Sequence, residues 1–183
     1  VGNRIKLTNP NGTYTEYTYN SLNRLTSIKN RKSNSTIISS YTYTLGPAGN
    51  ITRVVENDGR TVDYTYDDVY RLTQENINGS RVINYTYDAV GNRLTKNDNG
   101  VITNYTYDAN DRLTTEGNIT YSYDSNGKVT SEVRPNKSIL YEYYPQGWLK
   151  KITVNDAGVV NTTEYVYDPD GIRVQKILNG SEI

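Results

Sequence analysis

The 183-residue sequence contains no cysteine, histidine, methionine or phenylalanine, and it contains a single tryptophan. Because histidine and cysteine are absent, nucleophilic or general-base catalysis through either side chain is excluded. The absence of cysteine also excludes disulfide bonds and thiol chemistry, although it does not fix the cellular compartment.

The chain also lacks long apolar runs and any excess of one charge. No apolar run approaches the ~18–20 residues that a membrane-spanning helix needs, so we expect no membrane span. Twenty basic and 20 acidic residues give a formal net charge of +0. The basic residues are spread along the chain and do not form the patch that is typical of nucleic-acid-binding proteins. We therefore predict no nucleic-acid partner.

Tyrosine, asparagine and threonine take the place of aliphatic residues. Hydrophobic residues make up 34% of the chain, below the roughly 45–50% of ordinary globular domains. Disordered chains have few aromatic residues and a high net charge, whereas here 11% of residues are aromatic and the charges cancel. The composition therefore predicts an ordered protein whose packing depends on tyrosine.

The main feature is a Tyr-x-Tyr motif that occurs eight times at intervals near 20 residues and uses sixteen of the nineteen tyrosines. Self-similarity at a period of this length indicates a repeat architecture. The pairs are Tyr17 and Tyr19, Tyr41 and Tyr43, Tyr64 and Tyr66, Tyr85 and Tyr87, Tyr105 and Tyr107, Tyr121 and Tyr123, Tyr141 and Tyr143, and Tyr165 and Tyr167.

Each pair is predicted to lie on a half-buried β-strand. Side chains alternate between the two faces of a strand, so both tyrosines of a pair share one face. The residue between them, most often threonine, points to the other face. One face that is tyrosine-rich and one that is polar are typical of antiparallel sheets. We therefore expect the tyrosines to form a packing ladder.

A turn is predicted after each pair, usually with Asp at its start and Gly three residues later. The Asp side chain can bond the backbone two residues on, and Gly accepts a positive φ. The predicted turn residues are Asp67, Asp88, Gly91, Asp108, Asp124, Gly127, Gly147, Asp168 and Gly171. Asn20, Thr44 and Tyr144 are interpreted as replacing the Asp in the other three repeats, which favours a turn-forming role over a catalytic one.

A second strand, Arg-Leu-Thr or a variant, follows each turn, and a hairpin turn such as Asn78-Gly79 closes the repeat. Asn-Gly between alternating runs is a strong hairpin signal. The fold class predicted is all-β: a continuous antiparallel meander with two strands per repeat and about seventeen strands. Residues 1–183 are expected to form a single array of about eight repeats. Because both ends fall inside a repeat, we expect a piece of a longer array.

At positions 85–95 the sequence Tyr-Thr-Tyr-Asp-Ala-Val-Gly-Asn-Arg-Leu-Thr resembles the YD repeat, or Rhs repeat. This repeat occurs in Rhs proteins, bacterial wall-associated proteins, the Tc toxin C component and teneurins. The resemblance extends over essentially the whole chain. It implies a β-strand spiral or shell wall in secreted or cell-surface proteins. In the toxin members the shell encloses a toxic C-terminal segment, and in teneurins it is an extracellular adhesion scaffold.

The sequence and the resemblance together predict a non-enzymatic structural module, a wall segment of a secreted or cell-surface bacterial protein. Its expected partners are neighbouring repeats and an enclosed toxin segment, and no cofactor is expected. Two alternatives stay open. One is self-association into a filament or adhesion protein through open strand edges. The other is a glycan-binding module that uses the tyrosines to stack sugars.

Two weaker chemical possibilities come from clustered oxygen ligands. The carboxylate pairs Asp67/Asp68 and Asp108/Asp111 are the candidates for glycoside cleavage, but both lie in predicted turns. Asn97-Asp98-Asn99-Gly100 and the Asp168/Asp170 pair are short oxygen-rich turns, although neither completes a calcium-loop pattern. We predict no catalytic, metal or cofactor-binding residue.

Overall fold

A computed structural model describes residues 2–182, and the regular elements in that range are all β-strands. There are eighteen of them, and each pairing in the ladder is antiparallel. The predicted all-β antiparallel class is confirmed, with one strand more than the seventeen expected. No helix in the described range is long and apolar enough to cross a membrane.

The chain divides into two compact units at residues 102 and 103. In the first unit each strand pairs with the next along the chain, from β1 to β9. Its strands are β1 (Lys6–Thr8), β2 (Tyr14–Tyr19), β3 (Leu25–Arg31), β4 (Ile37–Leu45), β5 (Ile51–Glu56), β6 (Thr61–Tyr66), β7 (Leu72–Ile77), β8 (Arg81–Tyr87) and β9 (Arg93–Asp98).

The second unit repeats the same meander from β10 to β18. Its strands are β10 (Val101–Tyr107), β11 (Leu113–Glu116), β12 (Ile119–Tyr123), β13 (Val129–Arg134), β14 (Lys137–Tyr143), β15 (Leu149–Asp156), β16 (Val159–Tyr167), β17 (Arg173–Leu178) and β18 (Ser181–Glu182).

Hairpin turns with two consecutive residues at positive φ close several of the repeats. Asn78 and Gly79 have φ of 53° and 67°, and Asn179 and Gly180 have 49° and 82°. This geometry matches the twist of the flanking strands and is why Asn-Gly is favoured there. Ala157, at φ 50°, precedes Gly158 in an equivalent turn that carried no Asn-Gly signal.

A β-bulge recurs at the end of each tyrosine strand. In seven repeats the register shifts between the middle residue of the Tyr-x-Tyr motif and its second tyrosine, as between Thr65 and Tyr66. The opposing strand carries the extra residue, since Thr65 pairs with Gln74 while Tyr66 pairs with Leu72. Bulges bend a strand and re-aim side chains, and in these seven repeats the bulge lies opposite the second tyrosine.

The second repeat corrects one interpretation of the sequence. Thr44 does not open a turn, because it lies inside β4 and the bulge falls between Thr44 and Leu45. The turn starts at Gly46, whose N–H donates to the carbonyl of Asn50 at 2.8 Å. The motif is therefore displaced by two residues here, so that Tyr43 occupies the first tyrosine position and Leu45 the second.

Few side chains in the described range are buried. Val62, Ile83 and Tyr105 are the buried hydrophobic residues in the described range, with 3%, 6% and 5% of their surface exposed. All three lie on the face that carries the tyrosines, since Val62 and Ile83 precede the first tyrosine of their strands by two residues. The tyrosine face is therefore the more covered face of the sheet.

Candidate functional site

The predicted tyrosines lie one pair to a strand on β2, β4, β6, β8, β10, β12, β14 and β16. Tyr105 is buried and the other fifteen are half-buried, whereas the middle residue of the motif is exposed in seven of the eight repeats. Exposed middle residues form threonine contacts across the opposite face, such as Thr86 Oγ1 with Thr95 Oγ1 at 2.6 Å. The pairs therefore share one face, and the site built on it is a series of contacts between repeats.

The second tyrosine of a pair donates its hydroxyl hydrogen bond to a backbone carbonyl of the preceding repeat. Tyr87 Oη lies 2.7 Å from the oxygen of Leu72, just beyond the last register pair of β7 with β8, Gln74 with Asn84. The hydroxyl therefore takes the place of a strand N–H where the two strands separate. The other examples are Tyr19 to Arg4 at 3.0 Å, Tyr66 to Ile51 at 2.7 Å, Tyr123 to Leu113 at 2.7 Å and Tyr143 to Val129 at 2.9 Å.

A cation from the preceding turn lies near the ring of the same tyrosine. The guanidinium carbon of Arg71 is 5.1 Å from the centre of the Tyr87 ring. The matching distances are 4.8 Å for Arg112 with Tyr123 and 5.1 Å for Lys128 with Tyr143. Cations within about 6 Å of a ring centre are attracted by its quadrupole. The tyrosine is therefore held by the hydrogen bond of its hydroxyl and by the contact of its ring with the cation.

The same cations reach on to a carbonyl in the next turn. Arg71 Nη1 donates to the oxygen of Asp88 at 2.8 Å, and Lys128 Nζ donates to that of Gly147 at 2.7 Å. Arg24 makes the equivalent bond to Pro47 at 3.0 Å. We call the set formed by one cation, the second tyrosine of the next pair and these two carbonyls the inter-repeat clamp.

The Asp turn is a five-residue loop that positions the cation of each clamp. The N–H of its first residue donates to the carbonyl of its fifth, as between Asp67 and Arg71 at 3.0 Å. Asp67 Oδ1 accepts the N–H of Val69 at 3.1 Å and of Arg71 at 2.8 Å, and Oδ2 accepts Arg71 Nε at 2.7 Å. The predicted turn residues Asp88, Asp108, Asp124 and Asp168, together with Asn20, make the same Oδ1 bonds.

The fourth residue of each Asp turn has a positive φ. Gly91, Gly127, Gly147 and Gly171 occupy this position, at φ between 82° and 102°. In three turns the residue is not glycine: Asn23 at 58°, Tyr70 at 63° and Asp111 at 58°. A bulky side chain in the left-handed region is rare, so Tyr70 is a strained residue that its sequence pattern did not reveal.

The first tyrosines interact with glutamates on the facing strand. Tyr85 Oη donates to Glu75 Oε1 at 2.6 Å. Burial and this hydrogen bond raise the pKa of Tyr85 far above its ordinary value. Burial, followed by the charge of Glu75, also raises the pKa of Tyr64. Tyr85 is therefore protonated and donates its hydroxyl hydrogen bond to Glu75.

The last two turns of this kind, residues 144–148 and 168–172, depart from the pattern and line a cavity. Tyr144 stands where the other turns have Asp, Asn or Gly, and Trp148 stands in the cation position. The Trp148 ring centre is 5.4 Å from that of Tyr167, and Tyr144 meets Tyr167 edge-on at 6.1 Å. The cavity has a volume of about 490 Å³ and is lined by Tyr144, Gln146, Trp148, Tyr167, Asp168 and Pro169.

Sequence reasoning missed the clamp because it assigned every Arg-Leu-Thr to one strand position. Arg71 ends a turn, but Arg93 lies one residue further along, since Asn92 closes that turn. The side chain of Arg93 accordingly lies near the first tyrosine of its own repeat, Tyr85, at 5.8 Å. Counting residues from the first position of each turn shows the difference, because Arg71 is the fifth residue from Asp67 and Arg93 is the sixth from Asp88.

Comparisons with known proteins identify the repeat. A family model described as Teneurin YD-shell matches residues 48–181, and the RHS Repeat model matches residues 1–35. The chain belongs to the teneurin YD-shell family. This result confirms the YD-repeat resemblance read from residues 85–95. A search of curated proteins finds no match.

Solved Tc toxin structures have a fold similar to that of this chain. The Tc holotoxin pore of Photorhabdus luminescens matches with a TM-score of 0.71 at 21% identity, over 94% of this chain and 10% of that one. TcdB2-TccC3-TEV matches with a TM-score of 0.59 at 16% identity, over 97% of this chain and 12% of the other. At these identities the likeness shows the fold, and this YD-shell chain spans about a tenth of the length of the structures that it matches.

Proposed function

We propose that this YD-shell chain is a non-enzymatic wall segment of a larger repeat shell in a secreted or cell-surface bacterial protein. The observation that carries the proposal is the inter-repeat clamp. The tyrosine hydroxyl on a strand carbonyl and the cation on a turn carbonyl join one repeat to the next, and the Asp bonds the amides of the turn that holds the cation.

The state of the turn carboxylates supports a structural role over glycoside cleavage. Partial burial acts to raise the pKa of Asp67, but hydrogen bonds from Arg71 and from backbone N–H groups outweigh it and lower that pKa. The pKa of Asp108 is lowered in the same way by Arg112. A general acid needs a raised pKa to hold its proton near neutral pH. Asp67 and Asp108 are therefore not suited to the general-acid role, and both carboxylates are already occupied by hydrogen bonds of their own turns.

The shell context is proposed from the Tc toxin likeness. The neighbouring repeats of a longer chain would then be the immediate partners, and a segment enclosed by the wall would be the second partner. A curved wall needs units that hold their neighbours at a fixed spacing, and the clamps at Tyr87, Tyr123 and Tyr143 supply such contacts between successive repeats of a quasi-one-dimensional array.

Cryo-electron microscopy of the full-length parent protein tests the proposal. We expect residues 2–182 to lie in the wall of a hollow shell, with each clamp bridging successive repeats. The same protein should be assayed for hydrolysis of glycosides, with no turnover expected. A solid domain packed on both faces of these strands, or glycoside turnover that Asp67→Asn or Asp108→Asn removes, would overturn the proposal.

A further inference from the structure

The cavity lined by the turns 144–148 and 168–172 differs from the clamps at Tyr87, Tyr123 and Tyr143, and the difference indicates a ligand. In the clamps of Tyr87, Tyr123 and Tyr143, an Arg or Lys of the protein lies by the ring at 4.8–5.1 Å. At Tyr167 the corresponding residue is Trp148, so an aromatic ring replaces the cation. This junction keeps the electron-rich ring and lacks the positive charge.

The turn at Asp168 also lacks the cation found in two of its siblings. In the turns of Asp67 and Asp108, the second carboxylate oxygen accepts an Arg Nε at 2.7 Å and 2.6 Å. The fifth residue of the Asp168 turn is Ile172, which has no charge to offer. Asp168 Oδ1 accepts the N–H groups of Asp170 and Ile172, and no ion pair with Asp168 occurs in residues 2–182.

Three aromatic side chains are fixed around the resulting space. Tyr144 Oη donates to the carbonyl of Tyr165 at 3.2 Å, which anchors its ring edge-on to Tyr167. Trp148 packs on Gly171, where an added Cβ would lie 2.7 Å from Cζ2 of the indole. Rings held in this way need little reorganisation on binding, which reduces the entropic cost.

From these observations we propose that Tyr144, Trp148, Tyr167 and Asp168 form a binding site for an organic cation of the quaternary ammonium class. A methylated ammonium group would contact the aromatic faces, and Asp168, which lines the same cavity, would supply the opposite charge. Aromatic cages recognise such groups through the ring quadrupoles. The volume of about 490 Å³ falls within the roughly 300–1,000 Å³ of small-molecule sites. The site does not depend on the proposed wall function.

The single tryptophan makes the test direct, because Trp148 is both the only indole in the chain and a wall of the site. The full chain is titrated with choline chloride while indole fluorescence is followed. The matched ligand is 3,3-dimethyl-1-butanol, which has the shape of choline without its charge. We expect a saturable change with choline and affinity weaker by roughly tenfold or more for the neutral analogue.

Two substitutions separate binding from folding, with ligand-observed NMR as the common measurement. Asp168→Asn keeps Oδ1 as an acceptor, as Asn20 does in its own turn, so the turn should persist while choline binds about two- to fivefold more weakly. Trp148→Arg restores the cation found in sibling clamps and should abolish choline binding while circular dichroism stays unchanged. Asp88→Asn alters a turn that contributes no residue to the cavity and should leave choline binding unaltered.

The source of the cation is distinguished by a second arm with vesicles. Binding to phosphatidylcholine vesicles, but not to phosphatidylglycerol vesicles, would assign the site to a lipid headgroup, whereas binding of free choline alone would assign it to a small molecule. The proposal is overturned if choline gives no saturable response, if the neutral analogue binds equally well, or if Trp148→Arg still binds choline as the parent chain does.

Discussion

The Tyr87 hydroxyl offers a sharp test of the inter-repeat clamp. The change Tyr87→Phe removes one oxygen and keeps the ring, so the contact of the ring with Arg71 at 5.1 Å is preserved. What is lost is the 2.7 Å hydrogen bond to the Leu72 carbonyl. Since the strand ladder has already ended at the Gln74–Asn84 pair, no strand N–H is positioned to replace it.

The expected loss follows from the cost of leaving a carbonyl unpaired. A hydrogen bond of this kind contributes about 0.5–1.5 kcal/mol, and an orphaned partner costs about 1–3 kcal/mol when it is buried. Leu72 is half-buried, and water can reach part of the site. We therefore expect Tyr87→Phe to lower the free energy of unfolding by about 1 kcal/mol.

Urea unfolding followed by far-ultraviolet circular dichroism measures this change, with the m-value checked for constancy. The matched control is Tyr14→Phe, which removes a hydroxyl bonded to an exposed serine side chain, Ser35 Oγ, at 2.9 Å. Such surface changes stay within about 0.5 kcal/mol. If Tyr87→Phe costs no more than Tyr14→Phe, the hydroxyl does not hold the repeats together and the clamp is wrongly described.

Three further changes test the turns and the ionised groups. Tyr70→Gly should raise the free energy of unfolding by about 0.5–1 kcal/mol, because relief of the left-handed backbone strain at Tyr70 exceeds the unfolded-state entropy that glycine adds. Gly91→Tyr should lower the free energy of unfolding, and the same urea assay measures both changes. Arg81, the largest influence, and Lys96 lower the pKa of Asp98 to about 2, below the ~3.9 of an unfolded Asp. The stabilisation by Asp98 should thus be complete above pH ~4 and fall as the pH drops towards 2. The difference in unfolding free energy between the parent chain and Asp98→Asn should therefore shrink as the pH is lowered. A difference that does not change with pH would refute this. Burial is the main reason that the pKa of Tyr85 is raised in the folded state, so the folded chain retains a proton that the unfolded chain releases above pH ~10. The free energy of unfolding should therefore fall as the pH rises above ~10. In urea titrations at several pH values this fall should be less steep for Tyr85→Phe.

Local features of this fold could be predicted from the sequence because they depend on residues close together along the chain. The parity of Tyr64 and Tyr66 placed both on one face, and Asn-Gly at 78–79 marked a hairpin with two positive φ values. Asp88 identified the start of a turn because its side chain bonds amides two and four residues away.

The contacts between repeats could not be predicted in the same way. Arg71 reaches the carbonyl of Asp88, seventeen residues further on, and only the fold brings the two together. The displaced motif at Tyr43 was missed because the spacing alone does not show that Leu45 takes the second tyrosine position. Tyr70 was missed because a turn that usually needs glycine tolerates tyrosine when its neighbours fix the backbone.

The clamp explains how a chain with so few buried side chains can hold its shape. Val62, Ile83 and Tyr105 are the buried hydrophobic residues of the described range, so the half-buried tyrosines supply much of the packing between strands. At each clamped junction the tyrosine ring contributes apolar area, its hydroxyl satisfies a carbonyl and the cation bridges two turns. The junction at Trp148 has no cation by the tyrosine ring and has packed aromatic rings in its place. These rings line a cavity together with Asp168, and for this reason we place the cation-binding site at this junction.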